Sequence, residues 1–284
     1  MLRLKAALQT ETGPRPTNQD CLFAEIKKVA DKTYGLFCVA DGVGGLADGQ
    51  YAASITVSFI ERWWNEHILS LTPESIWDES NSCLMLSELL RSINEVIFRH
   101  SQVSSVRIGT TCSLLLLHND FYHLVHVGDS RIYMAEKRMF RKFEFNQLTE
   151  DHSWSAEQLK IGLLPVEEIE AYHGKNKLTS CLGAFESPKI YSRSGYVKRR
   201  GVFIICSDGL YRVVSDDVIA KMLIRYKNNE KLVEKLMSAV KNRGYIDNTS
   251  VIAVQFSYKG KNKKAEYSAQ IDYEIAPSIH TEEL

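Results

Sequence analysis

Apolar positions along the chain follow two rhythms. Seven unbroken runs, CLFAEIKKV, YGLFCVA, TTCSLLLLH, YHLVHVG, RIYMAE, GVFIICS and SVIAVQF, are rich in β-branched and aromatic residues and are bounded by Gly, Asp, Asn or Ser. They predict β-strands. Elsewhere Ala52, Ile55, Phe59 and Trp63 recur at helical spacing, as do Leu86, Leu89, Leu90, Ile93, Val96 and Ile97. These predict two long helices. Two shorter ones follow GVFIICS. One starts at a Ser215 cap and carries Val218, Ile219, Met222 and Leu223; the other carries Leu232, Val233, Leu236, Met237 and Val240, with Gly244 beyond its end. The order is strands, two helices, strands, helices, final strand, which is not a βαβ alternation. It predicts an α+β domain whose largely antiparallel sheets are covered by helices. From about Lys259 the composition changes to basic KGKNKKAEYS and then acidic TEEL, so residues 259–284 are expected to form a flexible tail after a domain spanning 1–258.

Composition narrows this little. The 284 residues are 44 % hydrophobic and 25 % charged, enough for a sizeable core. Lys+Arg and Asp+Glu are both 35, a balance that argues against nucleic-acid binding driven by bulk charge. The start is too polar for a signal peptide, and the longest aliphatic run, Leu114 to Leu117, is far too short to span a membrane. The six cysteines show no metal-finger spacing; four lie in or beside apolar runs and read as small buried hydrophobes, and a reduced, cytoplasmic protein is expected.

The chemistry lies where the apolar runs stop. CVADGVGG delivers Asp41 from a strand into a glycine loop, HLVHVGDS ends on Asp129, and VFIICSDG ends on Asp208. Asp247 precedes the last strand in YIDNTSVIAVQF, and Asp20 opens a strand in RPTNQDCLF. One Asp-Gly is ordinarily a turn. Five carboxylates at strand ends, if they share a sheet edge, would repel one another and raise each other's pKa unless a cation sat among them. Carboxylates that recur with no His or Cys at metal-finger spacing suit Mg²⁺ or Mn²⁺, and Gly42 would let its carbonyl approach the ion.

At these residues the chain resembles the metal-dependent Ser/Thr protein phosphatases of type 2C (the PPM family) in their compact bacterial form. The matching pieces are RPTNQD, VADGVGG, IGTTCSLLLL, VHVGDSRIY, QLTEDHS, NKLTSCLG, IICSDGL and IDNTSVIAV, in order over residues 4 to 257. The resemblance implies a four-layer αββα sandwich, two antiparallel sheets flanked by helix pairs. It implies that Asp41 bridges two metal ions, that Asp208 and Asp247 are further ligands of the first, and that the Gly42 carbonyl is a ligand of the second. Asp20 would hold metal-bound water, Arg15 would grip the substrate phosphate, and Asp129 with Asp208 would serve a third ion. The segment from about 153 to 178 matches a flap beside the site, and His152 reads as its anchor more than as a general acid.

The chain departs from the family pattern at four places. Gln19 replaces a common Glu, Val43 a His, Arg212 an acid near the third metal, and Ser180–Cys181 an Arg-Ala pair. The activity implied is hydrolysis of phosphoserine and phosphothreonine in proteins by water activated between Mn²⁺ or Mg²⁺ ions, opposing a bacterial Ser/Thr kinase. No protein nucleophile is assigned; CSDGLYR (206–212) is not read as a nucleophilic cysteine loop. The rival readings are a phosphoprotein-binding module with the same fold, against which Asp41, Asp208 and Asp247 all stand, and a phosphatase of small phosphate esters.

Overall fold

The architecture follows from a strand buried on both faces. In β3 (Lys32–Val43), Tyr34, Leu36, Cys38 and Ala40 pack under helices, while Phe37 and Val39 point into a layer between two sheets. A strand covered on both sides has no polar face, which is why GLFCVA is an unbroken apolar run. The computed structural model describes residues 1–44, 48–71, 81–137, 143–197, 199–259 and 273–274.

One sheet joins β1 (Leu2–Glu11), β11 (Thr249–Tyr258), β10 (Arg200–Cys206), β7 (Arg131–Lys137) and β8 (Phe143–Gln147) in that spatial order, every pairing antiparallel. The second runs β12 (Tyr273–Glu274), β9 (Tyr191–Tyr196), β6 (Phe121–Val127), β5 (Cys112–His118), β3 and β2 (Asp20–Val29), with β4 (Gly109–Thr110) paired to the end of β3. Phe37, Leu115, Leu124, Phe203, Ile252 and Val254 fill the layer between the sheets. Each fully buried side chain of this size stabilises the fold by about 2–3 kcal/mol.

Helices α1 (Asp48–Leu69) and α2 (Ser82–Ser104) cover the second sheet, and α6 (Asp216–Arg225) and α7 (Asn229–Arg243) cover the first. The result is the αββα sandwich. Of the stretch expected to be a tail, Lys259 and Tyr273–Glu274 are described, the latter pairing with Tyr191 and Ser192 of β9. The rest of that stretch lies outside the described residues.

Three local readings shift. In α1 the expected Ala52 is buried, but the buried stripe then runs through Ala53, Thr56, Ile60, Trp64 and Ile68, while Ile55, Phe59 and Trp63 are only partly covered. Two adjacent apolar stripes run down this helix, and periodicity alone does not choose between them. Val96 of α2 is exposed rather than packed. Ser215 does sit at the start of α6 but its side chain makes no capping hydrogen bond, whereas Asn228 caps α7 by accepting from the Lys231 N–H.

Candidate active site

Antiparallel pairing brings the carboxylates together. Asp20 opens β2 and Asp41 lies near the end of β3, and the register sets them directly opposite each other. Asp208 begins α5 (Asp208–Tyr211), immediately after β10. Asp247 precedes β11, the neighbour of β10. Asp129 follows β6. All five predicted acids thus meet at one end of the sandwich, close enough for Asp41 to feel Asp20, Asp208, Asp129 and Asp247 as repelling charges.

Removal from water and this mutual repulsion raise the acids' affinity for protons. Burial, then the charges of its neighbours, pushes the Asp41 carboxyl well above the usual carboxylate range. Burial lifts Asp20 to about 6 against hydrogen bonds that pull it down, and lifts Asp129 to about 7 with help from the Asp208 charge. Asp208 is raised by burial despite the guanidinium of Arg212. Asp20 Oδ1 and Asp208 Oδ1 are buried without a hydrogen-bond partner. Two orphaned, desolvated carboxylate oxygens among like charges are costly.

Neutral side chains hold the acids in place. The Asp41 N–H donates to Thr111 Oγ1 at 3.0 Å, and the Asp41 carbonyl accepts from the Thr111 N–H at 2.8 Å and from Thr110 Oγ1 at 3.0 Å. Ser207 Oγ donates to Asp20 Oδ2 at 2.8 Å and accepts from the Ser250 N–H. Asn248 is the main organiser. Its Oδ1 accepts from the Gln19 N–H at 2.9 Å, and its Nδ2 donates to the carbonyls of Thr12 and Thr17. It thereby ties the Arg15 loop to Asp247. None of Thr111, Ser207 and Asn248 was singled out as a site residue, although all lie inside the motif blocks.

Gly42 is required by close approach. A Cβ there would meet the Gly49 carbonyl oxygen at 2.3 Å and the Gln19 carbonyl oxygen at 2.9 Å. Both are backbone, so nothing can swing aside. Gly42→Ala is therefore expected to destabilise the protein by about 2–4 kcal/mol, read as a lower urea midpoint at unchanged slope.

Two arginines reach the acids. Arg15 Nη2 donates to Asp247 Oδ2 at 2.6 Å from a side chain that is 55 % exposed. Arg212 contacts Asp129 Oδ2 at 3.0 Å and Asp208 Oδ2 at 2.9 Å. Val43 is exposed at the end of β3. Ser180 has a structural role: its Oγ accepts from the Lys189 N–H, closing a loop whose Leu182 pairs with Thr110. Cys181 is buried against Gly109.

His152 Nδ1 accepts the Gly128 N–H at 3.1 Å, while the His152 backbone N–H donates to the Gly128 carbonyl at 2.7 Å. Burial, then the neighbouring His126, holds its pKa down to about 2. A neutral, buried ring fits an anchor and not a proton donor. The excursion it anchors leaves and returns at the Ser153–Leu178 bridge and carries α3 (Trp154–Ile161) and α4 (Val166–Ala171).

Cys206 and Arg212 do have five residues between them, the spacing of cysteine phosphatase loops. Cys206 is nevertheless fully buried, with its thiol pushed up by burial, and it takes part in strand pairing. What excludes a thiolate nucleophile is that burial.

The donor set, carboxylates and a carbonyl, suits a hard divalent cation, and the two orphaned oxygens are where one would relieve the greatest strain. Among the described residues no three His, Cys, Asp or Glu side chains already surround one point. Arg15 and Arg212 bond oxygens of Asp247, Asp129 and Asp208 instead. No described helix is long and apolar enough to cross a membrane.

Comparison with known proteins agrees with this layout. The serine/threonine phosphatase stp of Listeria monocytogenes is 26 % identical over 231 residues, covering 80 % of this chain and 86 % of its own length. Protein phosphatase PhpP of Streptococcus pneumoniae is 27 % identical over 256 residues, covering 89 % and 98 %. The S. agalactiae serine/threonine phosphatase structure superposes with a TM-score of 0.77 at 26 % identity, over 90 % of this chain and all of that one. A catalytic domain of the phosphatase PstP, in complex with two manganese ions, shares the fold with a TM-score of 0.71 at 23 % identity, over 90 % of this chain and all of its own. The family model for protein phosphatase 2C matches residues 16–248. With its two-sheet fold and most of its length matched in this way, the chain belongs to the protein phosphatase 2C family, enzymes of the protein-serine/threonine phosphatase class.

Proposed function

We propose that this protein hydrolyses phosphoserine and phosphothreonine in proteins with divalent-metal assistance, and that its substrates include a Ser/Thr kinase or that kinase's targets. The observation that carries the reading is the acid cluster: four buried or half-buried carboxylates with raised proton affinity, two of them with an orphaned oxygen. Asp41, Asp208, Asp247 and the Gly42 carbonyl would hold a pair of ions. Bound there, Mn²⁺ or Mg²⁺ would neutralise the acids and make hydroxide available near neutral pH. Asp20, fixed by Ser207 on one oxygen, has its other free to orient water. Arg15, exposed at the cluster's edge, is placed to turn its planar donors onto phosphoryl oxygens. The reaction cleaves the ester P–O bond, restores the side-chain hydroxyl and releases inorganic phosphate. The manganese-loaded PstP domain supports the choice of ion.

The test is release of phosphate from a phosphothreonine peptide with Mn²⁺ or Mg²⁺ present. Activity should vanish in excess chelator and return on adding metal back. Arg15→Ala should lower kcat/KM about 100-fold, much of it through KM. Undiminished turnover in chelator would refute the reading.

A further inference from the structure

The two arginines in the site are not equivalent. Arg15 belongs to a solvent-facing loop, but Arg212 is built in. It lies one helical turn after Asp208, so its side chain returns to the same face of α5, where it contacts Asp208 Oδ2 at 2.9 Å and Asp129 Oδ2 at 3.0 Å. Its base is fixed as well. The Arg212 N–H donates to the Asp208 carbonyl at 3.0 Å, and the adjacent Tyr211 hydroxyl donates to the Asp129 carbonyl at 2.8 Å. The Tyr211 ring is in turn covered by Arg131, whose guanidinium lies 3.7 Å from the ring centroid and bonds both oxygens of Asp151. The guanidinium of Arg212 is therefore a positive charge locked between two of the five acids.

We infer that Arg212 is a tethered cation that takes the place of a metal ion at Asp129, so that Asp129 is a counter-ion and not a metal ligand in this protein. The inference rests on the reading of the remaining acids as a divalent site. Arg212 occupies only one oxygen of Asp208; Oδ1 has no partner and stays available to an ion on the Asp41 side. The cluster thus divides into a half that binds exchangeable ions and a half neutralised from within the chain. A divalent ion approaching Asp129 would meet a like charge and would have to break two charge-assisted bonds.

The experiment counts Mn²⁺ bound at millimolar manganese, by equilibrium dialysis with elemental analysis, on the full chain. The variants are Asp129→Asn, Arg212→Met and the double substitution. Asp129→Asn should bind as many ions as the wild type. Arg212→Met should bind one more, and the double variant should lose that extra ion. An ion lost in Asp129→Asn, or none gained in an Arg212→Met protein that still unfolds cooperatively, would overturn the inference. If Arg212→Met does not fold, the comparison of wild type with Asp129→Asn decides alone. A wild-type count of zero would instead strike the two-ion reading of the site, a separate result from any difference between variants.

Discussion

Asp208→Asn is expected to lower kcat on a phosphothreonine peptide by about a thousandfold or more, near 4 kcal/mol of transition-state stabilisation. The size of the effect comes from position. Asp208 begins α5, behind the fully buried end of β10, and has one oxygen on Arg212 and the other unpartnered. Asparagine keeps the shape but removes the charge that a divalent ion would answer. It also presents either an amide nitrogen toward Arg212 or a neutral donor where a cation should bind. Folding should survive, because the wild-type carboxylate is itself strained by burial and by repulsion from Asp247. The measurement is initial rate against Mn²⁺ concentration, with thermal unfolding run beside it. A variant retaining more than about a tenth of wild-type activity would remove Asp208 from the machinery.

The second large effect is in stability, and it differs with and without metal. Four histidines, His118, His123, His126 and His152, are buried and held neutral, with pKa values lowered by burial to about 3, 4, 4 and 2. Between pH 6.5 and those values the unfolded chain binds protons that the native chain refuses, so their stabilisation is complete above pH 6.5 and is lost as pH falls. Each forfeits about 2 kcal/mol by pH 5. The acids slope the other way. Asp20 at about 6 and Asp129 at about 7 keep protons in the native state that the unfolded chain has released above pH 4. They cost about 3 and 4 kcal/mol once pH exceeds those values, and Asp41 and Asp208 add to this.

In chelator the acids offset the histidines only in part, so the Tm should rise modestly from pH 5 to 6.5 and then fall towards pH 8. With millimolar Mn²⁺ the cost carried by Asp41, Asp208 and Asp20 is removed while Asp129, held by Arg212, keeps its own, so the Tm should climb from pH 5 and fall much less towards pH 8 than in chelator. The gap between the two curves should be about 10 °C or more at pH 8 and only a few degrees at pH 5. A gap of the same size at both pH values would mean that Asp41 and Asp208 do not receive the ion.

The sequence exposed the acids more clearly than what holds them. An aspartate at the end of an apolar run with a glycine beside it is visible in one dimension, because burial fixes the run and the turn needs the glycine. Asp41, Asp129 and Asp208 were legible for that reason. Thr111, Ser207 and Asn248 were not. Small polar residues near turns are common, and their role depends on the pairing of Gln19 with Asn248 across most of the chain. Arg212 could be seen as a misplaced charge, but its two partners could be read only from the structure.

Among the strands, β1, β8 and β9 escaped notice because polar residues interrupt LRLKAALQTE, FEFNQ and YSRSGY, which lie toward sheet edges where one side is wet. The strands covered on both faces stood out. Beyond Ala52, the sequence places the stripe of α1 one residue early because FI and WW each offer two apolar positions side by side.

The strand order of the first sheet has a kinetic consequence. β11 lies between β1 and β10, so the N-terminal strand has no hydrogen-bonded neighbour in its sheet until residues 249–258 have been made. Asp247 arrives only two residues before that strand. On the proposed reading of the site, which needs Asp247, a nascent chain that has assembled the β2–β3–β5–β6 half would gain activity only when β11 emerges and inserts. Completion of the first sheet and the onset of activity would then coincide.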